Sequence, residues 1–268
     1  WLDENGAPQT FGVQAGEKIY QDFTLVTTGP GAHSARPIAD NPITRLSEAL
    51  ARTGNYHFPA MPGDAVRNFF ARSAPLHPGA DGDAMRIVGT GKDDAAALDR
   101  LSKADPVWNA MIRTTCTNTQ VTGGHAPNAV PQRAQATINC RILPGTSIET
   151  IHKALVEVVA DPRIEVTFAD EPGPVSAPPP LTPEIMKPVE KLVAEMWPGV
   201  PVIPNLSTGA TDGRFLMAAG IPTYGISAIF VDPDGNGVHG LNERVRVKSL
   251  YDARQFLYRL VKTYASAR

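Results

Sequence analysis

The chain has 268 residues, of which 42% are hydrophobic, and it carries a formal net charge of −2 at pH 7. This length and composition are enough for one large domain or two ordinary ones with a sizeable core. The near-neutral charge gives no reason to expect a nucleic acid or an anionic membrane as a partner. Apolar runs such as 221–231 are broken by Pro222 and Gly225. None approaches the roughly 18 residues that a membrane-spanning helix needs.

The first residue and the cysteines leave the cellular compartment open. The sequence begins at Trp1 without a methionine, which predicts that it comes from the middle of a longer protein. No signal peptide is visible, but a sequence from the middle of a protein would lack one in any case. Cytoplasmic, periplasmic and secreted locations therefore all stay open.

Cys116 and Cys140 are too few for a disulfide framework. We expect a reduced pair buried in strands, with a disulfide bridge as the alternative.

The first fifth of the chain contains a strand followed by a helix. Residues 1–15 predict a solvated turn. In 19–28, apolar and polar residues alternate, which predicts a half-buried strand. Asn41 and Pro42 then predict the N-cap and the first position of a helix that continues to residue 54.

The middle of the chain has a ferredoxin-like pattern interrupted by a less regular segment. Residues 55–112, rich in Ala, Pro, Gly and Asp, predict an insertion with helical patches over 64–73 and 95–102. The remaining elements are strands over 114–121, 134–143 and 164–168 and a helix over 147–159 with Ser147 as N-cap. Two β-α-β-like halves with four strands in total predict a ferredoxin-like α/β sandwich over about residues 17–172.

A proline-rich linker separates this sandwich from the rest of the chain. Residues 172–183 hold six prolines, which is typical of a connection between two units. The elements predicted after it are helices over 184–197, over 212–219 with Asp212 as a candidate N-cap, and from 249 onward, a strand-turn over 203–211 and a strand over 223–230. Their alternation predicts a piece of a larger α/β sheet flanked by helices.

A lone histidine between two glycines is the most informative motif. In 237–243, His239 has the loop setting of a metal ligand, but a catalytic zinc needs three protein ligands. No other histidine has a metal-binding spacing, so we expect its partner ligands on sequence outside this chain, with a structural histidine as the alternative. The other motifs are the loop 29–37 with His33, the loop 123–131 with Asn128, which leads into Asn139-Cys140-Arg141, and the turn 207–215.

Taken together and in this order, the four motifs resemble the zinc aminoacylase/carboxypeptidase family of metallopeptidases. This family includes glutamate carboxypeptidase, succinyl-diaminopimelate desuccinylase, aminoacylase and carnosine-type dipeptidases. The resemblance implies a catalytic α/β domain that is interrupted by a ferredoxin-like lid, which also dimerises. It assigns 1–16 to a remnant of the catalytic domain, 17–172 to the lid with its insertion at about 55–112, and 173–268 to the C-terminal part of the catalytic domain.

The resemblance implies roles for two histidines and an asparagine. His239 matches the last metal ligand of the family. His33 matches a lid histidine that reaches across the dimer into the partner's active site, where it polarises the scissile carbonyl and holds the oxyanion. Asn128 matches a second dimer-crossing group that contacts the substrate. A loop residue that supports its own turn is the alternative reading of His33 and of Asn128.

The resemblance also implies a grip on the substrate carboxylate. Arg141 matches the arginine of the family that holds this group, and its planar guanidinium suits a two-point contact. The backbone N–H groups of Gly209, Ala210 and Thr211 lie in a turn that would line the same carboxylate. A surface ion pair is the alternative reading of Arg141.

The implied cofactor is a pair of zinc ions in the full-length enzyme, and cobalt or manganese can share such ligands. The general-base Glu and the other ligands would lie in the missing part, so we expect this chain alone to bind no metal and to be inactive. The full-length protein is expected to be a homodimer, joined through its lid, that hydrolyses a peptide or N-acyl amino acid substrate at its amide bond. A non-catalytic dimerisation or interaction fragment stays the alternative.

Overall fold

The computed structural model of the protein describes residues 1–175 and 177–266. Its strands are β1 (Phe11–Glu17), β2 (Ile19–Thr28), β3 (Ala32–His33), β4 (Thr115–Gly123), β5 (Ala129–Val130), β6 (Arg133–Ile142), β7 (Ile164–Phe168) and β8 (Val202–Ser207). Its α-helices are α1 (Pro42–Asn55), α2 (Asp64–Ser73), α3 (Ala80–Gly89), α4 (Ala95–Ala104), α5 (Pro106–Ile112), α6 (Ile148–Val159), α7 (Pro183–Met196), α8 (Gly213–Ala218) and α9 (Val247–Ser266). Their buried side chains form three apolar clusters.

The largest sheet has four antiparallel strands in the order β4-β6-β2-β7. Helices α1 and α6 cover one face, where Leu46 and Leu155 pack against Phe23 and Ile138. The chain runs strand, helix, two strands, helix, strand, which together with this strand order makes a ferredoxin-like sandwich. The predicted α/β fold of this part is therefore confirmed. Both helix caps are confirmed as well, because Asn41 Oδ1 accepts the N–H of Ile43 at 2.9 Å and Ser147 Oγ that of Thr150 at 3.1 Å.

The segment 55–112 is a compact helical cluster with its own core. Helices α2 to α5 bury Phe70, Met85 and Leu101, and Leu206 of β8 joins the same cluster. Helices α2 and α4 lie where helical patches are predicted, whereas the prediction found no helix at α3 and α5. Helix α5 has a clear start signal. Asp105 is its N-cap and accepts the N–H groups of Val107 and Trp108 in the first turn, and Pro106 is the first helical residue.

The C-terminal unit is built around a parallel strand pair and an aromatic cluster. β1 pairs with β8 in parallel, and helices α7 and α9 pack beside this pair. The rings of Phe11, Trp197, Phe230 and Phe256 lie together, with centroids 4.9 Å apart for the pair Phe11–Phe256. The prediction of a solvated turn over residues 1–15 is therefore wrong from Phe11 onward, because β1 is a buried strand whose partner β8 lies far along the chain.

Two predictions near the C-terminus differ from the structure. Residues 223–230 do not form a strand, because their backbone pairs with β1 through a single bridge, Gly225 with Gln14. Helix α9 buries Ala253, Phe256 and Leu260 as its apolar spacing predicts. Two other apolar residues of α9 are exposed, however: Leu250 by 50% and Val261 by 64%.

The two cysteines form a disulfide, so the expectation of a reduced pair is wrong. Cys116 on β4 lies directly opposite Cys140 on β6, with the Cα atoms 4.1 Å apart, and the sulfur atoms are bonded. The disulfide can form because the strand register places two cysteines that are 24 positions apart in sequence directly opposite each other. A sequence without a known register does not reveal this pairing.

The proline-rich connection has neither helix nor strand before α7 begins at Pro183, and Ser176 within it lies outside the described residues. The domain boundaries assigned by resemblance stay a prediction. Within 1–175 and 177–266, every helix is either too short or too polar to span a membrane.

Candidate functional site

The loops that carry His33 and Asn128 are joined by a small two-stranded sheet. β3 pairs with β5 so that His33 lies opposite Ala129, and the N–H of Ser34 donates to the carbonyl of Asn128 at 2.9 Å. Close packing requires glycine at position 31, where φ is +71° and a Cβ atom would lie 2.9 Å from the side chain of Gln132. The structure therefore brings together two candidate residues that are far apart in sequence.

The imidazole of His33 has one nitrogen engaged and one available. Its Nδ1 accepts the backbone N–H of Ala35 at 3.1 Å, and the side chain is exposed. A neutral imidazole that accepts at Nδ1 carries its proton on Nε2. The loop thus fixes both the tautomer and the ring, and it leaves an N–H donor for a group outside this loop. Asn128 is exposed beside it.

Arg141 lies on the face of the four-stranded sheet opposite the helices. It is half-buried on β6, its guanidinium carbon lies 4.6 Å from the centroid of the Tyr20 ring, and its Nε donates to Asn139 at 3.2 Å. Among the described residues it has no acidic group within 4.0 Å, so the alternative of a surface ion pair finds no partner there.

A buried lysine near Arg141 is a charged residue that the sequence reading missed. Lys18 is 1% exposed, and its Nζ donates to the carbonyls of Ala110 and Arg113 and to Thr115 Oγ1 at 2.8–3.0 Å. Burial lowers the pKa of Lys18 from 10.5 to about 7, and the nearby charge of Arg141 adds to this shift. Lysine at a strand junction has no sequence signal of its own, because the acceptors come from residues some 90 positions away.

The turn over 207–214 offers fewer free backbone donors than the resemblance implies. The N–H of Gly209 already donates to Ser207 Oγ at 3.2 Å, and the N–H of Gly213 donates to Thr211 Oγ1 at 3.1 Å. Gly209, Ala210 and Thr211 are all exposed. The turn therefore presents the amides of Ala210 and Thr211 to a ligand more readily than that of Gly209.

The loop of His239 is held by a buried asparagine. Asn236 is 3% exposed, its Oδ1 accepts the N–H of Asp232 at 2.8 Å, and its carbonyl accepts the N–H of Arg244 at 3.0 Å. His239 itself is exposed with φ at +63°, a left-handed conformation that few non-glycine residues adopt. Ala160, Ala228 and Asn236 share a positive φ, so the conformation alone does not mark His239 as functional.

The described residues do not make a complete metal centre. Within 1–175 and 177–266, no group of three or more His, Cys, Asp or Glu side chains is arranged to hold a metal ion. His239 has a suitable donor atom and an accessible position, but it is a single ligand where zinc needs three or four.

A comparison with known protein families matches the part of the chain that contains the four-stranded sheet and its helices. A family profile described as a peptidase dimerisation domain matches residues 15–167, which is more than half of the chain. The chain belongs to the M20 peptidase family. The resemblance predicted from the four motifs is thereby confirmed, and the M20 relatives are hydrolases by name.

The M20 relatives found by sequence are much longer than this chain. The mouse N-fatty-acyl-amino acid synthase/hydrolase PM20D1 is 30% identical over 171 residues, which are 62% of this chain and 33% of the relative. The probable carboxypeptidase S-like 2 of Dictyostelium discoideum is 27% identical over 256 residues, or 92% of this chain and 47% of the relative. The chain thus spans between a third and a half of these two relatives.

Solved M20 structures share the fold. The M20 family metallo-carboxypeptidase Sso-CP2 from Sulfolobus solfataricus superposes with a TM-score of 0.62 at 19% identity, covering 98% of this chain and 61% of that one. Human carnosine dipeptidase 1 gives a TM-score of 0.59 at 11% identity, with coverages of 94% and 56%. At these identities the likeness establishes the fold.

Proposed function

We propose that this M20 chain forms the dimerisation lid and part of the active site of an enzyme that hydrolyses a peptide or N-acyl amide bond. The observation that carries the proposal is the β3–β5 sheet, which joins His33 to the Asn128 loop and leaves the Nε2–H of His33 as a fixed donor. Two relatives act on amide bonds by name, the N-fatty-acyl-amino acid synthase/hydrolase of mouse and human carnosine dipeptidase 1. We therefore infer an N-acyl amino acid or a peptide as substrate.

A second copy of the chain is the proposed partner. β4 is an edge strand of the four-stranded sheet, and its residues 117–123 are exposed, including Val121 at 66%. An edge strand of this length presents unpaired backbone groups that can pair with another strand. Pairing β4 with its copy would extend the sheet across a twofold axis, in keeping with the family's dimerisation role.

We assign His239 as one ligand of a metal centre, proposed as a pair of zinc ions, with cobalt or manganese able to share the ligands. The other donors must come from residues outside those described, since the described set is incomplete. Two apolar side chains of this loop support a further packing partner, because Val238 and Leu241 are both exposed. The 268-residue chain by itself is therefore proposed to be inactive.

The chain's own residues then have defined tasks in hydrolysis. The Nε2–H of His33, reaching from the partner subunit, donates to the carbonyl oxygen of the scissile bond as negative charge develops on it. A preorganised donor of this kind lowers the activation barrier by about 3–4 kcal/mol. Arg141 binds the terminal carboxylate through two parallel hydrogen bonds, and the amides of Ala210 and Thr211 line the same group.

The test uses the metal-loaded enzyme made from the complete gene, with an N-acetyl amino acid and a dipeptide as substrates. His33→Ala should lower kcat about 100- to 1,000-fold and leave the metal content unchanged. His57→Ala is the matched control, because His57 is also an exposed histidine within residues 17–172. An unchanged kcat in His33→Ala would remove the assignment.

Mixing two inactive variants tests the cross-subunit contribution. His33→Ala and His239→Ala each lack one group, but a mixed dimer contains one site with both groups intact. Co-refolded subunits should therefore recover a substantial part of the wild-type activity. If the mixture stays as inactive as its parents while forming dimers, His33 does not act in the partner's site.

A non-catalytic dimerisation module is the second candidate, and the incomplete donor set of the described residues favours it. Light scattering of the 268-residue chain should give a dimer in both cases. Hydrolysis by the enzyme made from the complete gene decides for catalysis, and its absence with zinc, cobalt and manganese decides for the module.

A further inference from the structure

Arg141 and three other side chains on the open face of the four-stranded sheet contact one another in a closed ring. Tyr20 lies opposite Arg141, and Asp22 lies opposite Asn139, in the β2–β6 register. The hydroxyl of Tyr20 donates to Asp22 Oδ2 at 2.6 Å, and Asn139 Nδ2 donates to Asp22 Oδ1 at 2.6 Å. Arg141 Nε donates to Asn139 Oδ1 at 3.2 Å, and the guanidinium covers the Tyr20 ring at 4.6 Å. The ring thus closes on itself.

The ring holds Arg141 without neutralising it. Both carboxylate oxygens of Asp22 are engaged by neutral donors, so this acid orients Asn139 and Tyr20 and does not pair directly with the guanidinium. The Nε of Arg141 is engaged by Asn139, which leaves its two terminal nitrogens for another group. These terminal nitrogens form the end of the guanidinium fork that matches a carboxylate.

Preorganisation of Arg141, more than the surrounding charge, favours a ligand here. Asp22 in the ring and Asp170 near Tyr20 offset the charge of Lys18. Lys18 lies close enough that Arg141 contributes to lowering its pKa, and the described residues place no acid within 4.0 Å of Arg141. A long arginine side chain normally loses rotamer freedom when it binds a ligand. Stacking on Tyr20 and the bond to Asn139 remove much of that freedom beforehand.

We propose that Tyr20 and Asp22, the latter acting through Asn139, are positioning residues that hold the fork of Arg141 ready for a substrate carboxylate. They thereby make the enzyme prefer substrates with a free carboxylate over the corresponding amides. This inference rests on the proposed function, because it specifies how the carboxylate-binding arginine is held. Tyr20 and Asp22 act on substrate affinity and not on the bond that breaks.

The test compares an N-acetyl amino acid with its primary amide in the metal-loaded enzyme made from the complete gene. Tyr20→Leu removes the stack and the hydroxyl together and should raise KM for the carboxylate substrate about three- to tenfold, with kcat nearly unchanged. Tyr20→Phe keeps the stack and should have a smaller effect. KM for the amide should not move in either variant. Tyr258→Leu, at an exposed tyrosine of α9, is the matched control.

A double-mutant cycle separates positioning from a general structural effect. In an Arg141→Ala background the preference for the carboxylate substrate should be gone, and adding Tyr20→Leu should change KM no further. Calorimetric titration of the same variants with N-acetyl-leucine and N-acetyl-leucinamide gives the preference without any turnover. Melting curves check that Tyr20→Leu folds, as expected for a side chain that is 38% exposed.

The outcomes distinguish this inference from the function on which it rests. If Arg141→Ala leaves the carboxylate preference intact, Arg141 does not bind the substrate carboxylate, and the positioning role falls with that assignment, whereas the proposed hydrolysis stands or falls with the His33 test. If Arg141→Ala abolishes the preference but Tyr20→Leu and Asp22→Asn leave it at the wild-type ratio, the positioning role is overturned and the proposed function stands. Equal losses for the carboxylate and the amide would also overturn it, since they indicate a structural role.

Discussion

The lid sandwich and the C-terminal unit are made of similar elements, but they cover their apolar surfaces differently. In the sandwich, the inward residues of β2 and β6 are buried under α1 and α6. In the C-terminal unit, α8 has no buried residue at all, and Phe215 is 52% exposed. Helix α8 therefore adds little apolar burial to its unit, in contrast to α1 and α6.

The candidate site residues divide along the same line. His33 and Arg141 belong to the sandwich, and hydrogen bonds from neighbouring residues fix both of them. The 209–211 turn and His239 belong to the C-terminal unit and lie on exposed segments. The candidate residues of the sandwich are thus held by side-chain hydrogen bonds, and those of the C-terminal unit lie on exposed turns.

The largest expected effect tests whether the two units differ in packing. Phe23 is fully buried in the sandwich, so Phe23→Ala should lower the free energy of unfolding by about 3–5 kcal/mol. Phe215→Ala on α8 should change it by less than about 0.5 kcal/mol, because that side chain is exposed. Urea denaturation of the isolated chain measures both. A large loss from Phe215→Ala would show that α8 is packed and would break the comparison.

The disulfide should make the sandwich edge more resistant to opening than the C-terminal unit. Replacing Cys116 and Cys140 by alanine should cost about 2–4 kcal/mol by the loop-closure argument. Hydrogen exchange should show the loss in the amides of β4 and β6, with little change in α7 and α9. Equal loss of protection in both units would mean that they unfold as one body. Unchanged exchange in β4 would mean that the bridge does not hold this edge.

Much of the sandwich is predictable from sequence because its signals are local. Alternation in 19–28 and the caps Asn41 and Ser147 specify elements without knowledge of their neighbours. The C-terminal unit depends more on distant partners. Residues 223–230 have a strand-like pattern, yet only Gly225 pairs with β1, and no local signal reveals that limit.

The candidate site shows the same division between local and distant information. Only the family resemblance links the loops of His33 and Asn128, since nothing in their spacing shows that β3 and β5 pair. The buried charge of Lys18 and the bridge between Cys116 and Cys140 depend on strand register and on helix ends far away in sequence. Sequence patterns of one segment do not contain this information.

The buried Lys18, which donates to the carbonyls of Ala110 and Arg113, should make the free energy of unfolding depend on pH. Its folded pKa of about 7 lies below the unfolded value of 10.5, so between these values the unfolded chain binds the extra proton. Stability should therefore rise with pH from about 7 to about 10.5, and the full cost of the buried charge is present below pH 7. Between pH 7 and 9.5 the rise should be about 3 kcal/mol.

Lys18→Met should flatten this rise, even though it also removes three hydrogen bonds at every pH. The comparison is therefore between slopes of unfolding free energy against pH, measured by urea denaturation from pH 7 to 9.5. Lys103→Met is the control, because Lys103 is exposed and pairs with Asp99 on its own helix. A slope that survives in Lys18→Met would mean that another group is responsible.

The smallest expected effect compares one helix start from each unit. Ser147 accepts the N–H of Thr150 in the sandwich, whereas Asp212 makes no side-chain cap bond at the start of α8. Ser147→Ala should therefore cost about 1 kcal/mol. Asp212→Ala should cost only a few tenths, from the charge near the helix start. Thermal and urea melts of the two variants measure the difference. An equal cost at Asp212 would mean that α8 depends on its cap, and the contrast between a closed sandwich and a loosely held α8 would then be lost.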